Sequence, residues 1–157
     1  MSHGKKMSRQ QAEVYIEALR TLGAELRPCG SYRRGKAEIG DLDIAVLTHD
    51  FESYTQRAIE ALDAVKVRSG SAMAVLHVGD HQIDLYRTEQ RYLGAMLLFL
   101  TGSGDHNKKM RIKAMYSGKK LSQYGLFNRD SGELLASATE EEIFTRLRMK
   151  PVPPDLR

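Results

Sequence analysis

Two short segments that alternate acidic and apolar residues constrain this chain more than any other feature. In the first, Asp41 and Asp43 flank Leu42; in the second, Asp84 stands between two apolar residues. Side chains two residues apart on a strand share one face of a sheet, so Asp41 and Asp43 project together while Leu42 enters the core. Carboxylates held this close repel one another unless a cation lies between them. The pattern therefore predicts two strands that carry an acidic site.

Metal binding is the chemistry that these carboxylates favour. If the strand of Asp84 lies beside that of Asp41 and Asp43, three carboxylates converge and could hold two metal ions about 3.5–4 Å apart. Mg²⁺ prefers oxygen ligands and lets substrate phosphates complete its coordination. Carboxylate and phosphate oxygens suit Mn²⁺ as well. Taken alone, each segment is also typical of an ordinary turn or edge strand, so the prediction depends on their occurring together.

A glycine-rich and basic run precedes the first acidic segment. Gly30 allows another group to approach the backbone closely, and the Ser31 hydroxyl can donate to a phosphate oxygen. The planar guanidinium of Arg34 can clamp phosphate through two hydrogen bonds. Phosphate-binding groups at one end and metal-binding groups at the other predict a site for a polyphosphate.

Charge and composition narrow the class of protein. Lys and Arg outnumber Asp and Glu by 24 to 20, and the excess is local: residues 1–36 carry eight basic and three acidic side chains, and residues 102–120 carry six and one. Basic segments around an acidic interior favour a surface for phosphates around a centre that binds cations. Charge alone is explained equally well by solvated lysines on helix faces. A single cysteine, Cys29, excludes an internal disulfide and predicts an intracellular location. The longest apolar run, Leu93–Leu100, is too short to span a bilayer, so no membrane association is expected.

Hydrophobic periodicity predicts an α+β fold, with mixed strands and helices rather than a regular βαβ repeat. Gly79 and Asp80 indicate a hairpin turn, and Thr139 with Glu142 indicates a capping box. The predicted helices are Ser8–Leu22, Phe51–Val65, Tyr92–Leu100, Lys108–Tyr116 and a short one from Thr139 through Met149. The predicted strands are Leu42–Leu47, Ala72–Val78, His81–Arg87, Tyr124–Asn128 and Glu133–Ala136.

These motifs resemble the nucleotidyltransferase superfamily, and specifically the family-X DNA polymerases typified by DNA polymerase beta. The resemblance is carried by the run Gly30–Lys36, by Gly40–Asp43 and by Ile83–Leu85, and it continues through Phe99–Ser103 and Asn107–Arg111. It extends from about residue 8 to the C-terminus. It implies a nucleotidyltransferase palm at residues 1–90, with a mixed sheet and flanking helices, and a small α/β thumb lobe at residues 91–157.

The resemblance also implies roles for individual residues. Asp41, Asp43 and Asp84 are the expected catalytic and metal-binding residues, with Asp84 deprotonating the primer 3′-hydroxyl. The implied reaction adds dNMP from a dNTP to primer-template or gapped DNA, with two Mg²⁺ ions, as in gap-filling repair by a monomer. The residues expected to bind the nucleotide are Gly30, Ser31, Arg34, Phe99, Leu100, Thr101, Gly102 and Asn107. The residues expected to bind DNA are Lys108, Lys109, Arg111, Lys113, Lys119 and Lys120.

The sequence departs from the family pattern at three points. Phe99 and Leu100 replace a Tyr-Phe pair, which leaves discrimination against ribose open. Gly104 stands where an acidic residue that packs on the incoming base is expected. The resemblance begins at about the start of the palm, so a palm and thumb alone are expected. Their affinity for DNA would decrease steeply as the salt concentration rises.

Two other functions remain open on the sequence. One is a template-independent nucleotidyltransferase that acts on a small molecule or an RNA end with the same aspartates. The other is a scaffold that binds DNA ends without chemistry. The basic segment that includes Asn107 and Arg111 favours a polymerase over the first alternative, since a small acceptor needs no such surface.

Overall fold

A five-stranded mixed sheet forms the centre of the first of two structural units. The computed structural model describes residues 4–157, and the chain divides between Thr88 and Glu89. The first unit contains β1 (Met7–Ser8), α1 (Arg9–Arg20), β2 (Glu25–Pro28), α2 (Gly30–Arg33), β3 (Glu38–Ile39), β4 (Asp41–Leu47), α3 (Phe51–Leu62), β5 (Val65–Ser69), β6 (Met73–Val78) and β7 (His81–Thr88).

The sheet has the strand order β2-β4-β7-β6-β5. The β4 and β7 strands pair in parallel, whereas the other neighbours are antiparallel. The short strands β1 and β3 form a separate antiparallel pair. Parallel pairing of two strands that lie far apart in sequence is what brings the two acidic segments together.

The hydrophobic core of this unit lies between the sheet and the helices α1 and α3. The apolar residues of β4 and β7 that alternate with the aspartates are fully buried, among them Leu42, Ile44 and Ile83. The buried hydroxyl of Tyr54 on α3 donates to the carbonyl of Leu19 on α1 at 2.9 Å. One face of β4 and β7 is therefore core, and the opposite face is left for polar side chains.

The first helix begins where the sequence predicts. The Ser8 side chain accepts a hydrogen bond from the backbone N–H of Gln11 at 3.1 Å, as an N-cap. The spacing of Val14, Ile16, Leu19 and Leu22 predicts one apolar face for this helix, and that prediction is wrong at Val14, which is 59% exposed. The buried positions are Ala12, Tyr15, Ile16 and Leu19, because the spacing i, i+3, i+4, i+7 defines one helix face and Val14 lies off it.

The predicted helix Phe51–Val65 extends too far at its C-terminal end. Asp63 adopts the left-handed conformation with φ 48° and ends α3. Val65 then begins the edge strand β5, where its side chain is 67% exposed. The hairpin of β6 and β7 around Gly79 and Asp80 confirms the prediction.

The second unit packs three helices against a small antiparallel sheet with the order β10-β9-β8. Its core includes Met110, Leu126, Ile143 and Phe144. The elements are α4 (Leu93–Thr101), α5 (Gly104–Tyr116), β8 (Lys119–Ser122), β9 (Gly125–Asn128), β10 (Leu134–Ala136) and α6 (Glu140–Arg146), with short 3₁₀ turns at Gln90–Tyr92 and Pro154–Leu156.

The capping box predicted at the start of α6 is present. The Thr139 hydroxyl accepts from the N–H of Glu142 at 3.2 Å, and the Glu142 carboxylate accepts in return from the N–H of Thr139. The helix ends at Arg146 rather than at the predicted Met149. The predicted strands Tyr124–Asn128 and Glu133–Ala136 correspond to β9 and β10, which pair with each other. A third strand, β8, which the local sequence pattern does not indicate, completes the sheet.

No helix among residues 4–157 is long and apolar enough to cross a membrane.

Candidate active site

Strand register places the three predicted aspartates on one face of the central sheet. Asp43 on β4 lies directly opposite Asp84 on β7, and Asp41 lies opposite Gln82. Because side chains alternate along a strand, all four project from the face opposite to the buried Leu42. Asp84 is 7% exposed, so at least one of these carboxylates lies out of bulk water. We call Asp41, Asp43 and Asp84 the acidic site.

Burial and mutual repulsion dominate the electrostatics of the acidic site. Burial, followed by the charges of Asp84 and Asp41, raises the pKa of Asp43 to about 7, although the Arg34 guanidinium acts in the opposite direction. Burial also raises the pKa of Asp84. The pKa of the Tyr86 hydroxyl is raised by burial and by all three aspartates. Such a concentration of negative charge favours a bound cation.

The donor set fits Mg²⁺ better than a metal held by protein ligands alone. Among residues 4–157, no group of three or more His, Cys, Asp or Glu side chains is placed so that it could hold a metal ion by itself. Mg²⁺ commonly keeps several waters and uses one or two carboxylates together with substrate phosphates. The oxygens that would hold it are those of Asp41, Asp43 and Asp84, with the remaining positions filled by water and a phosphorylated substrate.

A buried hydrogen-bond chain orients Asp84. The amide Nε2 of Gln82 donates to Oδ1 of Asp84 at 3.0 Å, and Oε1 of Gln82 lies 3.3 Å from Nε2 of His77. His77 lies opposite Gln82 in the β6–β7 pairing. If His77 carries its proton on Nε2, this N–H donates to Oε1 of Gln82. The Gln82 amide is then oriented with its NH₂ group towards Asp84. The sequence analysis missed this role, because the pairing partner of Gln82 was not visible in the local pattern.

Gly30 lies in direct contact with the acidic site. Its φ is +58°, and a Cβ atom at this position would stand 2.6 Å from Oδ2 of Asp43. The adjacent N–H of Cys29 donates to the backbone carbonyl of Asp43 at 2.8 Å. Ser31 follows on α2 and is half-buried, and Arg34 is close enough for its charge to act on Asp43. Of the residues predicted to bind phosphate, Gly30 and Arg34 are thus tied to the acidic site.

The predicted nucleotide-binding residues of the second unit separate into exposed and buried ones. Phe99, Asn107 and Arg111 line one cavity of about 130 Å³. The Asn107 Nδ2 donates to the backbone carbonyl of Phe99 at 2.8 Å and so ties α5 to the end of α4. Leu100 and Thr101 are buried, at 7% and 0% exposure. Neither of these two predicted residues is therefore open to solvent.

Gly102 continues the turn between α4 and α5, with φ +64° and a cis peptide bond to Ser103. The Ser103 side chain then caps α5 by accepting from the N–H of His106. Gly102 is itself buried.

Most of the predicted DNA-binding side chains are open to solvent. Four of them lie along α5, and these we call the basic helix: Lys108, Lys109, Arg111 and Lys113, all exposed. Lys120 on β8 is also exposed, whereas Lys119 is half-buried and its Nζ donates to the carbonyl of Ser117 at 3.3 Å. Exposed cations of this kind suit contacts with phosphates.

Comparison with known proteins matches both units. The family model described as DNA polymerase beta palm matches residues 5–117, and that described as DNA polymerase beta thumb matches residues 96–157. A DNA polymerase/3′-5′ exonuclease PolX of Bacillus subtilis (strain 168) is 26% identical over 132 residues, which cover 82% of this chain and 23% of that protein.

Two eukaryotic proteins are also similar. DNA polymerase lambda of Rattus norvegicus is 24% identical over 178 aligned positions, which cover 90% of this chain and 31% of that protein. DNA polymerase IV of Saccharomyces cerevisiae is 37% identical over 76 residues, which cover 48% and 13%. The chain thus spans less than a third of the length of each of these relatives.

Proposed function

Because the chain belongs to DNA polymerase family X, in a palm-plus-thumb form, we propose that it extends a DNA primer by nucleotidyl transfer at the acidic site. The substrate is a dNTP, the acceptor is the 3′-hydroxyl of a primer on gapped or open template DNA, and the biological task is gap filling in repair. The observation that carries this proposal is the pairing of Asp43 with Asp84 across two parallel strands.

Each residue of the acidic site has a role in the proposed reaction. Asp84 accepts the proton of the primer 3′-hydroxyl, and Gln82 holds the Asp84 carboxylate for this step. The O3′–Pα bond forms as the bond between Pα and the bridging oxygen breaks, and pyrophosphate leaves. Asp41, Asp43 and Asp84 would hold two Mg²⁺ ions, or Mn²⁺ in their place. When bound, these ions would stabilise the attacking and leaving oxygens.

The phosphate-binding run positions the triphosphate. Arg34 would hold the β- and γ-phosphates through its planar fork, together with the hydroxyl of Ser31. Gly30 lets α2 lie against Asp43. Ser31, Arg34 and the carboxylates proposed to hold the metal ions can therefore act on the same triphosphate. In the second unit, the cavity lined by Phe99, Asn107 and Arg111 is where we propose that the nascent base pair is contacted.

Primer extension tests the proposal. The purified chain is incubated with labelled primers on nicked, gapped and open templates, with each dNTP in turn and with Mg²⁺ or Mn²⁺. We expect addition of the complementary nucleotide, with gapped DNA used efficiently. A primer unchanged under every condition, with a folded protein by circular dichroism, would refute polymerase activity. Extension of a single strand without a template would support the template-independent alternative instead.

A further inference from the structure

A second concave surface in the second unit is lined by cations that the acidic site does not use. It is a cavity of about 370 Å³ at the C-terminal ends of α5 and α6 and the start of β8. We call it the cationic pocket, and its lining residues are Lys113, Ser117, Lys119, Arg146, Leu147 and Arg148. Four of the six are basic and none is acidic.

The positive charge of the cationic pocket is not neutralised by ion pairs. Within residues 4–157, none of its four cations lies within 4 Å of a carboxylate. The nearest acidic group on α6, Glu142, accepts hydrogen bonds from the N–H groups of Ser137 and Ala138 at 2.8 and 2.7 Å. These hydrogen bonds, and to a smaller extent the charge of Arg146, lower the pKa of Glu142. Like charges that converge without acidic partners repel one another, and a bound anion relieves that repulsion.

A favourable interaction with a helix dipole explains the positions of only two of the four cations. Lys113 lies in the last turn of α5 and Arg146 in the last turn of α6, where positive charge interacts favourably with a helix C-terminus. Lys119 lies on a strand, and Arg148 lies beyond the end of α6. The Lys119 ammonium donates to the carbonyl of Ser117 at 3.3 Å, so Arg148 is the pocket cation that most needs another explanation.

Arg148 is also held in a backbone conformation that suits glycine. Its φ is +55°, and among residues 4–157 it shares a positive φ with only one other non-glycine residue, Asp63. Both follow the end of a helix, where glycine is the usual residue. Aspartate tolerates the left-handed region, whereas a long basic side chain has no such preference. A strained basic residue that lines a pocket points to a functional use of its charge.

We infer that the cationic pocket binds a phosphate group, through the two guanidinium groups of Arg146 and Arg148 and the ammonium groups of Lys113 and Lys119. Guanidinium forks and lysine ammonium groups are the side chains that bind phosphate most strongly. The phosphate is that of a DNA backbone or of a free polyphosphate such as pyrophosphate. The inference that the phosphate belongs to DNA rests on the proposed function, whereas the inference that it belongs to a free polyphosphate does not.

Two glycine substitutions separate anion binding from backbone strain. Arg148→Gly and Asp63→Gly each relieve a left-handed residue at a helix end, so both are expected to raise the melting temperature. Only Arg148→Gly is expected to weaken anion binding. Arg20→Gln is a control for net charge, since Arg20 is exposed on α1 in the first unit. Arg146→Gln removes a second pocket charge without changing the backbone conformation, which keeps the test valid if Arg148→Gly folds poorly.

The binding assays use two probes without dNTP or metal ion: a single-stranded oligodeoxynucleotide followed by fluorescence anisotropy, and inorganic pyrophosphate followed by calorimetry. We expect Arg148→Gly and Arg146→Gln to weaken binding of one probe by about 3- to 10-fold. For the oligonucleotide, we also expect the slope of log affinity against log salt to fall by about 0.7–1. Weaker oligonucleotide binding identifies DNA as the source, and weaker pyrophosphate binding identifies free polyphosphate.

Unchanged affinity for both probes in both variants would overturn the inference, as would an equal loss in Arg20→Gln. The outcome is independent of catalysis. If the wild-type chain binds the oligonucleotide through the cationic pocket but extends no primer, the proposed polymerase activity fails while the pocket stands.

Discussion

The acidic site and the basic helix differ in how the fold fixes their side chains. The carboxylates of the acidic site project from paired central strands, and Asp84 is 7% exposed and hydrogen-bonded to Gln82. The four cations of the basic helix stand in solvent on α5. A change in the acidic site therefore alters a small, tightly coupled group, whereas a change on the basic helix removes one charge among several. Substitutions in the acidic site should therefore cause large and specific losses of turnover. Substitutions on the basic helix should cause small, additive and salt-dependent losses of DNA affinity.

Asp84→Ala gives the largest expected effect. In the proposed reaction Asp84 both holds a metal ion and accepts the primer proton, so its loss is expected to reduce turnover by about 10³-fold or more. DNA affinity should change less than about twofold, since the basic helix is untouched. Single-turnover primer extension and anisotropy measure the two quantities. Asp80→Ala, which changes an exposed acid in the adjoining turn, is the matched control. Equal primer extension by Asp84→Ala and wild type would exclude Asp84 from the reaction. Retained DNA binding with no extension by either protein would favour a scaffold that binds DNA without chemistry.

Asp43→Asn should stabilise the metal-free protein while it abolishes activity. The pKa of Asp43 is raised from 3.8 to about 7 in the folded chain, so the folded state binds this proton more tightly than the unfolded state does. The contribution of Asp43 to stability is therefore fully present below about pH 4 and is lost as pH rises through 7. The gain from Asn at pH 8 is on the order of 2–4 kcal/mol, since one pKa unit corresponds to about 1.4 kcal/mol.

Thermal unfolding in chelator measures this gain at pH 4 and at pH 8. The two proteins should melt together at pH 4 and apart at pH 8, with the variant higher. Adding Mg²⁺ at pH 8 should raise the melting temperature of the wild type more than that of the variant. A difference that is the same at both pH values would contradict the raised pKa.

Gln82→Leu tests whether the acidic site depends on a neighbour that binds no metal. Loss of the hydrogen bond to Asp84 is expected to lower turnover about 10- to 100-fold, because partners that orient metal ligands carry effects of that size. The Mg²⁺ concentration needed for half-maximal activity should rise at the same time, which a purely structural role would not cause. Gln56→Leu, on the exposed side of α3, is the control. Unchanged metal dependence with a folded variant would exclude a positioning role for Gln82.

Lys108→Gln gives the smallest expected effect. We propose that Lys108 contacts a DNA phosphate, so its replacement should weaken DNA binding about two- to fivefold and reduce the salt slope by about 0.7–1. Turnover at saturating DNA should stay the same. Lys66→Gln, on the exposed edge strand β5, controls for the loss of one charge. A large fall in turnover at saturating DNA would show that the basic helix is as tightly coupled to chemistry as the acidic site.

Local periodicity accounts for the features that the sequence predicted well. The alternation around Asp41 and Asp43 identified β4, and the turn at Gly79 identified the β6–β7 hairpin, because both signals lie within a few residues. The family-X resemblance and the α+β fold follow from the same motifs, and both are confirmed by the palm and thumb matches. The individual roles of the predicted site residues stay predictions.

Features set by distant partners could not be predicted from the sequence. Nothing near Gln82 indicates that His77 is its neighbour, since that contact depends on the β6–β7 register. The predicted helix Phe51–Val65 includes the first residue of β5 because Val65 continues the apolar spacing of α3, and only the left-handed Asp63 breaks it. The cationic pocket assembles residues from α5, β8 and α6, and the sequence shows them merely as scattered basic positions.

Parallel pairing of β4 with β7 also determines the stage of folding at which the three carboxylates of the acidic site come together. The β6–β7 hairpin closes through neighbouring residues, whereas β4 must dock across an intervening helix and two strands. Contacts of long sequence separation are slow to form because loop-closure entropy opposes them. The repulsion between Asp43 and Asp84 thus arises only with that late docking, so divalent cations should accelerate the final step of folding and leave the early hairpin unaffected.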